Sequence, residues 1–155
     1  MNSLFKKLNF KNQSHIVVLN APQSFEKELQ EMQDIASIIT DIQQVQEIEF
    51  SLCFVTTQTE IDAFIASIHT KLIGDATIWI CYPKTSSKKY TCNFNRDTGF
   101  SILGIYGLEP VRQVSIDEDW SALRFRKVEY IKTITRRESY ALTKEAKKRT
   151  TQKGK

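Results

Sequence analysis

The stretch Tyr82, Pro83, Lys84, Thr85, Ser86, Ser87, Lys88, Lys89, Tyr90 concentrates three cations, three hydroxyls and two phenol rings. Such a set can hold an anionic ligand or a nucleic-acid backbone, because ammonium and hydroxyl groups donate to carboxylate and phosphate oxygens. Asn20, Thr56 and Thr57 join Tyr82, Lys84 and Lys88 as candidate ligand-binding residues. Each follows or lies at the end of an apolar run of strand type, and parallel strands bring their carboxyl ends to one edge of a sheet. The same loop composition also describes an ordinary hydrophilic surface.

Other chemistry finds little footing. Asp117, Glu118 and Asp119 could chelate a hard cation or serve as general acid and base, but consecutive acids in a turn point in different directions and read as a solvated turn. His15 and His69 are far apart and Cys53, Cys81 and Cys92 have no paired spacing, so no metal set is expected. Neither histidine has a nucleophile in an elbow nearby, and no catalytic residue is assigned. The bend Asn20, Ala21, Pro22, Gln23, Ser24 contains no glycine, and Pro22 deletes a backbone donor. A Rossmann-type site for a nucleotide or S-adenosylmethionine needs glycines there, so that the backbone can turn tightly and approach its ligand. Asp41 stands about twenty residues beyond, the spacing of a ribose-binding acid, but without the glycines it carries little weight. No cofactor is expected.

The elements that would position these residues alternate. His15 to Asn20 is a continuous apolar run, read as a strand buried on both faces. Ser24 caps a helix carrying Phe25, Leu29 and Met32 on one side, and a weaker strand over Ala36 to Ile42 follows. Ile48 to Thr57 is a second strand. Thr57 and Glu60 have capping-box spacing ahead of Ile61, Phe64, Ile65, Ile68 and Leu72, a helix that Gly74 is expected to stop. Ala76 to Tyr82 is a third buried-type strand closed by Pro83, and a helix is expected over Asn95 to Tyr106, ended by Gly107 and Pro110. Val111 to Ile116 and Leu123 to Val128 pair as an antiparallel hairpin across the acidic turn, Leu123 and Phe125 on a buried face and Arg124 and Arg126 on a basic one. Trp120 packs back on the hairpin or the sheet edge. The fold expected is α/β: a small three-layer Rossmann-like parallel sheet with a C-terminal antiparallel hairpin.

The 155 residues, 41% hydrophobic, suffice for one core. Residues 1–130 are read as the domain and residues 131–155 as a basic extension, partly helical or disordered. Residues 1–123 carry ten Lys and Arg against fifteen Asp and Glu, whereas residues 124–155 carry twelve against three. A split of that kind fits a tail that touches polyanions such as nucleic acid, and it also fits a solvated end. No signal-peptide stretch and no membrane span is visible, and Cys53 and Cys81 sit inside apolar runs. A cytoplasmic, reducing setting and a monomer or weak homo-oligomer are expected.

Four stretches, Val17 to Pro22, Phe54 to Thr57, Ile80 to Lys84 and Asp117 to Phe125, together resemble a family of uncharacterised bacterial proteins, a domain of unknown function. Its members look like abbreviated methyltransferase-type Rossmann domains that keep the closing hairpin and lack the glycine-rich cofactor loop. The resemblance covers about residues 10 to 130, and the Asp-Trp-Ser-Ala-Leu-Arg stretch is its most specific part. It implies no activity and no catalytic residues. The expected function is a non-catalytic binding or interaction module on a degenerate Rossmann-like core. A small-molecule transferase-like enzyme using loop 82–90, or nucleic-acid association through the basic tail, are the competing readings.

Overall fold

The computed structural model describes residues 2–131. The expected extension therefore lies, from residue 132 on, outside the described residues. Among the described residues six strands form one sheet: β1 (His15–Leu19), β2 (Ser37–Ile39), β3 (Ile48–Phe54), β4 (Leu72–Pro83), β5 (Leu108–Ser115) and β6 (Trp120–Lys127). Their order across the sheet is β2-β1-β3-β4-β6-β5. The first four run parallel, while β6 is antiparallel to both β4 and β5. The hairpin is thus present as expected, and its returning strand lies inside the sheet with β5 at the edge.

Continuous apolar strands need cover on both faces, and the helices supply it. One face carries Ile16, Val18, Phe50, Leu52, Phe54, Trp79 and Cys81 and packs against α1 (Ser3–Lys7), a 3-10 turn at Gln23–Phe25 and α2 (Glu26–Met32). The other carries Val17, Cys53, Ile78, Ile80 and Tyr82 under α3 (Gln58–Ile68), Phe94, Phe100 and α4 (Ile102–Ile105). The β1-α2-β2 and β3-α3-β4 units proceed in opposite directions from the centre, so crossovers of one hand put their helices on opposite faces. No helix among the described residues is long and apolar enough to cross a membrane.

Several elements differ from expectation for identifiable reasons. α1 was not foreseen: Leu4, Phe5 and Leu8 lie on one side of a single helical turn, and Asn2 Oδ1 caps it by accepting from the Phe5 amide at 3.0 Å. Phe5 and Leu8 are fully buried, a contribution of about 1.5–3 kcal/mol each. Ser24 lies within the 3-10 turn and caps nothing. α3 ends at Ile68 rather than at Gly74, because Leu72 pairs with Ile48 and the chain has already become strand. The β3 and β4 registers then slip, and Gly74, at φ +55, occupies the resulting bulge. The helix expected over Asn95 to Tyr106 shrinks to one turn. Its first half is a tight loop in which Asn95 Oδ1 takes the Asp97 amide at 2.7 Å. A Cβ on Gly99 would come within 2.7 Å of the Asn95 carbonyl oxygen, so only glycine closes that loop. Pro110 belongs to β5, where an edge strand with a register shift tolerates the missing donor.

Candidate functional site

The strand order reverses between β1 and β3, so the carboxyl ends of β1, β3 and β4 form the edge where open α/β sheets place ligands. The structure separates the six candidate residues along this edge into three places.

At the end of β1, Asn20 adopts φ +60, a left-handed conformation that asparagine tolerates better than most residues. It lines a hollow of about 280 Å³ with Cys53, Glu60 and Phe64. Thr56 and Thr57 stand beside it, but their amides and hydroxyls already donate to Glu60 Oε1 at 2.9–3.2 Å. Together with the Glu60 amide, which donates to Thr57 Oγ1 at 3.1 Å, these close the capping box of α3. Burial pushes the Glu60 carboxyl up, and the hydrogen bonds from Thr56 and Thr57 outweigh it and bring it below the usual carboxylate range.

Tyr82 and Lys84 meet at the end of β4, in a second hollow of about 270 Å³ shared with Arg96, Gln113 and Ser121. Register explains the gathering: Ser121 on β6 lies directly across from Tyr82, and β5 brings Gln113 to the far side of β6. Gln113 Nε2 donates to the Tyr82 hydroxyl oxygen at 3.2 Å, which leaves the phenol proton free to donate. Burial, partly offset by the Arg96 charge, pushes the Tyr82 phenol up, so it stays protonated near neutrality. Arg96 donates to the Pro83 carbonyl at 2.7 Å and sits 6.0 Å from the Tyr82 ring centroid, while Lys84 Nζ donates to Ser115 Oγ at 2.6 Å. Both cations are therefore fixed by neutral acceptors. Among the described residues the ion pair is Arg126 with Asp75, and no carboxylate pairs with Lys84 or Arg96.

Lys88 lies in neither place. It lines a third hollow with Ser86, Lys89, Glu118 and Asp119, where cations and acids balance. The acidic turn is a latch rather than a solvated turn. Asp117 Oδ1 accepts the Asp119 and Trp120 amides at 2.8 and 2.9 Å, and Asp119 accepts the Ser87 hydroxyl at 2.8 Å and, through its carbonyl, the Lys84 amide at 2.8 Å. Loop 82–90 is therefore held against the hairpin.

Beside the bend after β1, aromatic side chains pack in a row on one face of the sheet. Phe25, 2% exposed, packs its ring 4.9 Å from Phe54, which in turn lies 5.1 Å from Trp120, and Trp120 lies 4.8 Å from Tyr90. Asp41 caps a short turn by accepting the Gln43 amide at 3.0 Å. His15 and His69 lie apart, and no group of metal-ligating residues occurs among the described residues.

The three thiols differ in reach. Burial, with the Glu60 charge second, pushes Cys53 up to about 12, and burial raises Cys81 as well, while Cys92 is half-exposed. Since the thiolate is the nucleophile, titration with an aromatic disulfide reagent at neutral pH is expected to modify one thiol per folded chain, Cys92, and three after denaturation. Rapid modification of Cys53 in the folded chain would contradict this burial.

Arg96, Gln113, Ser121 and Glu60 were not among the sequence candidates. Only the hairpin register could have drawn attention to Gln113 and Ser121, and Arg96 was hidden in a segment read as helix.

No family model and no curated protein matches the chain. Among solved structures it is similar to the pyocyanin biosynthetic protein PhzM, at 10% identity and a TM-score of 0.50 over 79% of this chain and 52% of that one. The chain thus spans about half of PhzM. It is also similar to the N-methyltransferase NodS from Bradyrhizobium japonicum WM9, at 18% identity and a TM-score of 0.48 over 80% and 91% of the two chains. A third likeness is to the Methanococcus jannaschii fibrillarin pre-rRNA processing protein, at 13% identity and a TM-score of 0.48 over 76% and 67%. These likenesses concern fold alone: the chain is a mixed α/β domain with a Rossmann-like sheet in which β6 is reversed between β4 and β5.

Proposed function

We propose that the chain is a non-catalytic binding module that takes a small phosphate- or carboxylate-bearing anion at the carboxyl end of β4. The observation that carries this reading is the meeting of Lys84 and Arg96 in one hollow with no carboxylate among the described residues on either. Positive charge that has no acid to answer it, set beside the donor groups of Tyr82, Gln113 and Ser121, is complementary to an anion. The basic residues after 123 extend the same preference, and their association with a nucleic-acid backbone is a separate proposal resting on composition. We take residues 1–130 as the folded unit, the remainder as its appendage, and the setting as cytoplasmic.

The fold type raises the question of an S-adenosyl coenzyme, and the residues of the bend do not fit one. Asn20 stands where the tight turn needs glycine, Pro22 lacks the N–H that would meet the ligand, and Phe25 fills the space beneath. The first turn of α2 carries Glu26 and Glu28, which oppose a coenzyme carboxylate at that helix end. A transferase-like reading of loop 82–90 that draws its group from that coenzyme requires the bend to hold it. Titration of the 15N-labelled chain separates the two: pyrophosphate is expected to move the amides of residues 84–86 and 96, and S-adenosylmethionine to move none of those of Ala21, Gln23 and Ser24. Saturable shifts at Ala21, Gln23 and Ser24 with S-adenosylmethionine would overturn the proposal.

A further inference from the structure

The hollow at the end of β1 carries the opposite charge from the one at the end of β4. All four donors of Thr56 and Thr57 converge on Glu60 Oε1, and no donor among the described residues reaches Oε2. A carboxylate fixed through one oxygen presents the other in a set direction, so Oε2 is a preorganised, charged acceptor. Asn20, placed by its left-handed turn, donates Nδ2 to Cys53 Sγ at 3.7 Å, and its Oδ1 has no donor among the described residues. The Cys53 thiol beneath is neutral, raised by burial and by the Glu60 charge, and no cation lines the hollow beside the carboxylate. Leu19, Ala63 and Phe64 complete the walls with apolar surface.

We propose that this hollow binds a small organic cation, an ammonium or guanidinium on a short apolar body. Glu60 Oε2 and Asn20 Oδ1 accept its N–H groups, and Leu19 and Phe64 pack against the body. The site is independent of the anion hollow, since the two share no lining residue. A neutral ligand of the same shape leaves the carboxylate without a counter-charge, and an anion is repelled.

The test uses the 15N-labelled full chain and benzylammonium chloride at neutral pH. Saturable shifts are expected at the amides of Asn20, Cys53, Thr57 and Ala63, and benzyl alcohol should bind about tenfold or more weakly. Glu60→Gln keeps an oxygen for the capping box and removes the charge, and should lower benzylammonium affinity by about tenfold or more. Asn20→Gly keeps the left-handed turn while deleting the second acceptor, and should lower affinity with the fold intact. Equal binding of benzyl alcohol, shifts that avoid these amides, or affinity unchanged in both variants would overturn the proposal.

Discussion

Trp79→Phe is expected to destabilise the chain by about 2–4 kcal/mol, whereas Trp120→Phe should cost about 1 kcal/mol or less. Both side chains are buried, at 0% and 3% exposure, so both lose a similar amount of packed volume. Their N–H groups differ. Trp79 Nε1 donates to the Leu8 carbonyl at 2.8 Å and ties the N-terminal helix to the middle of the sheet. Removing it leaves a buried carbonyl without its donor, a penalty of about 1–3 kcal/mol on top of the lost volume. Trp120 Nε1 is buried with no hydrogen-bond partner among the described residues, so phenylalanine relieves a desolvated donor while keeping a ring against Phe54 and Tyr90. Urea unfolding followed by far-UV circular dichroism orders the two variants, and Trp120→Phe proving the more damaging would contradict this account.

That pair of tryptophans also marks how far local pattern carries. β1, β3, α3 and the hairpin were legible because apolar runs, the Thr57 and Glu60 spacing and the acidic turn are encoded within a few residues. α1 was not, because its reason to fold is the non-local contact of Phe5 with Phe25 and Phe50 and of Leu8 with Trp79. Gly74 misled because a left-handed glycine ends helices and also makes bulges, and only the pairing of β3 with β4 decides between them. Loop 82–90 was found by composition, yet its division into a cationic hollow and a charge-balanced one depends on the latch from Asp119 to Ser87 and Lys84. Arg96 and Gln113 reach Tyr82 from more than ten residues away in sequence, and no local pattern joins them.

The edge of this sheet divides by charge from its centre outward. At the centre, rings from Phe25 to Tyr90 occupy one face, and the switch point keeps a small acidic hollow. Positive charge gathers two strands away, where the reversed β6 brings Ser121 opposite Tyr82 and carries β5 close enough for Gln113 to reach across. In this scaffold the inserted antiparallel strand is what builds the hollow proposed to take an anion. Without β5 and β6, Lys84 would lose Ser115 and Tyr82 would lose Gln113.

Lys84 and Arg96 are the test of that assignment. Each charge-assisted hydrogen bond to an anion contributes about 1.5–3 kcal/mol, which corresponds to roughly ten- to hundredfold in affinity. Neither residue is buried in the core, so alanine at both positions should leave the unfolding transition near that of the parent chain. Isothermal titration calorimetry with pyrophosphate, on the parent chain and on the Lys84→Ala, Arg96→Ala double variant, reads the effect directly. The account predicts saturable binding by the parent and a loss of about a hundredfold or more in the double variant. Undiminished binding by the folded double variant, or no binding by the parent chain, would contradict it.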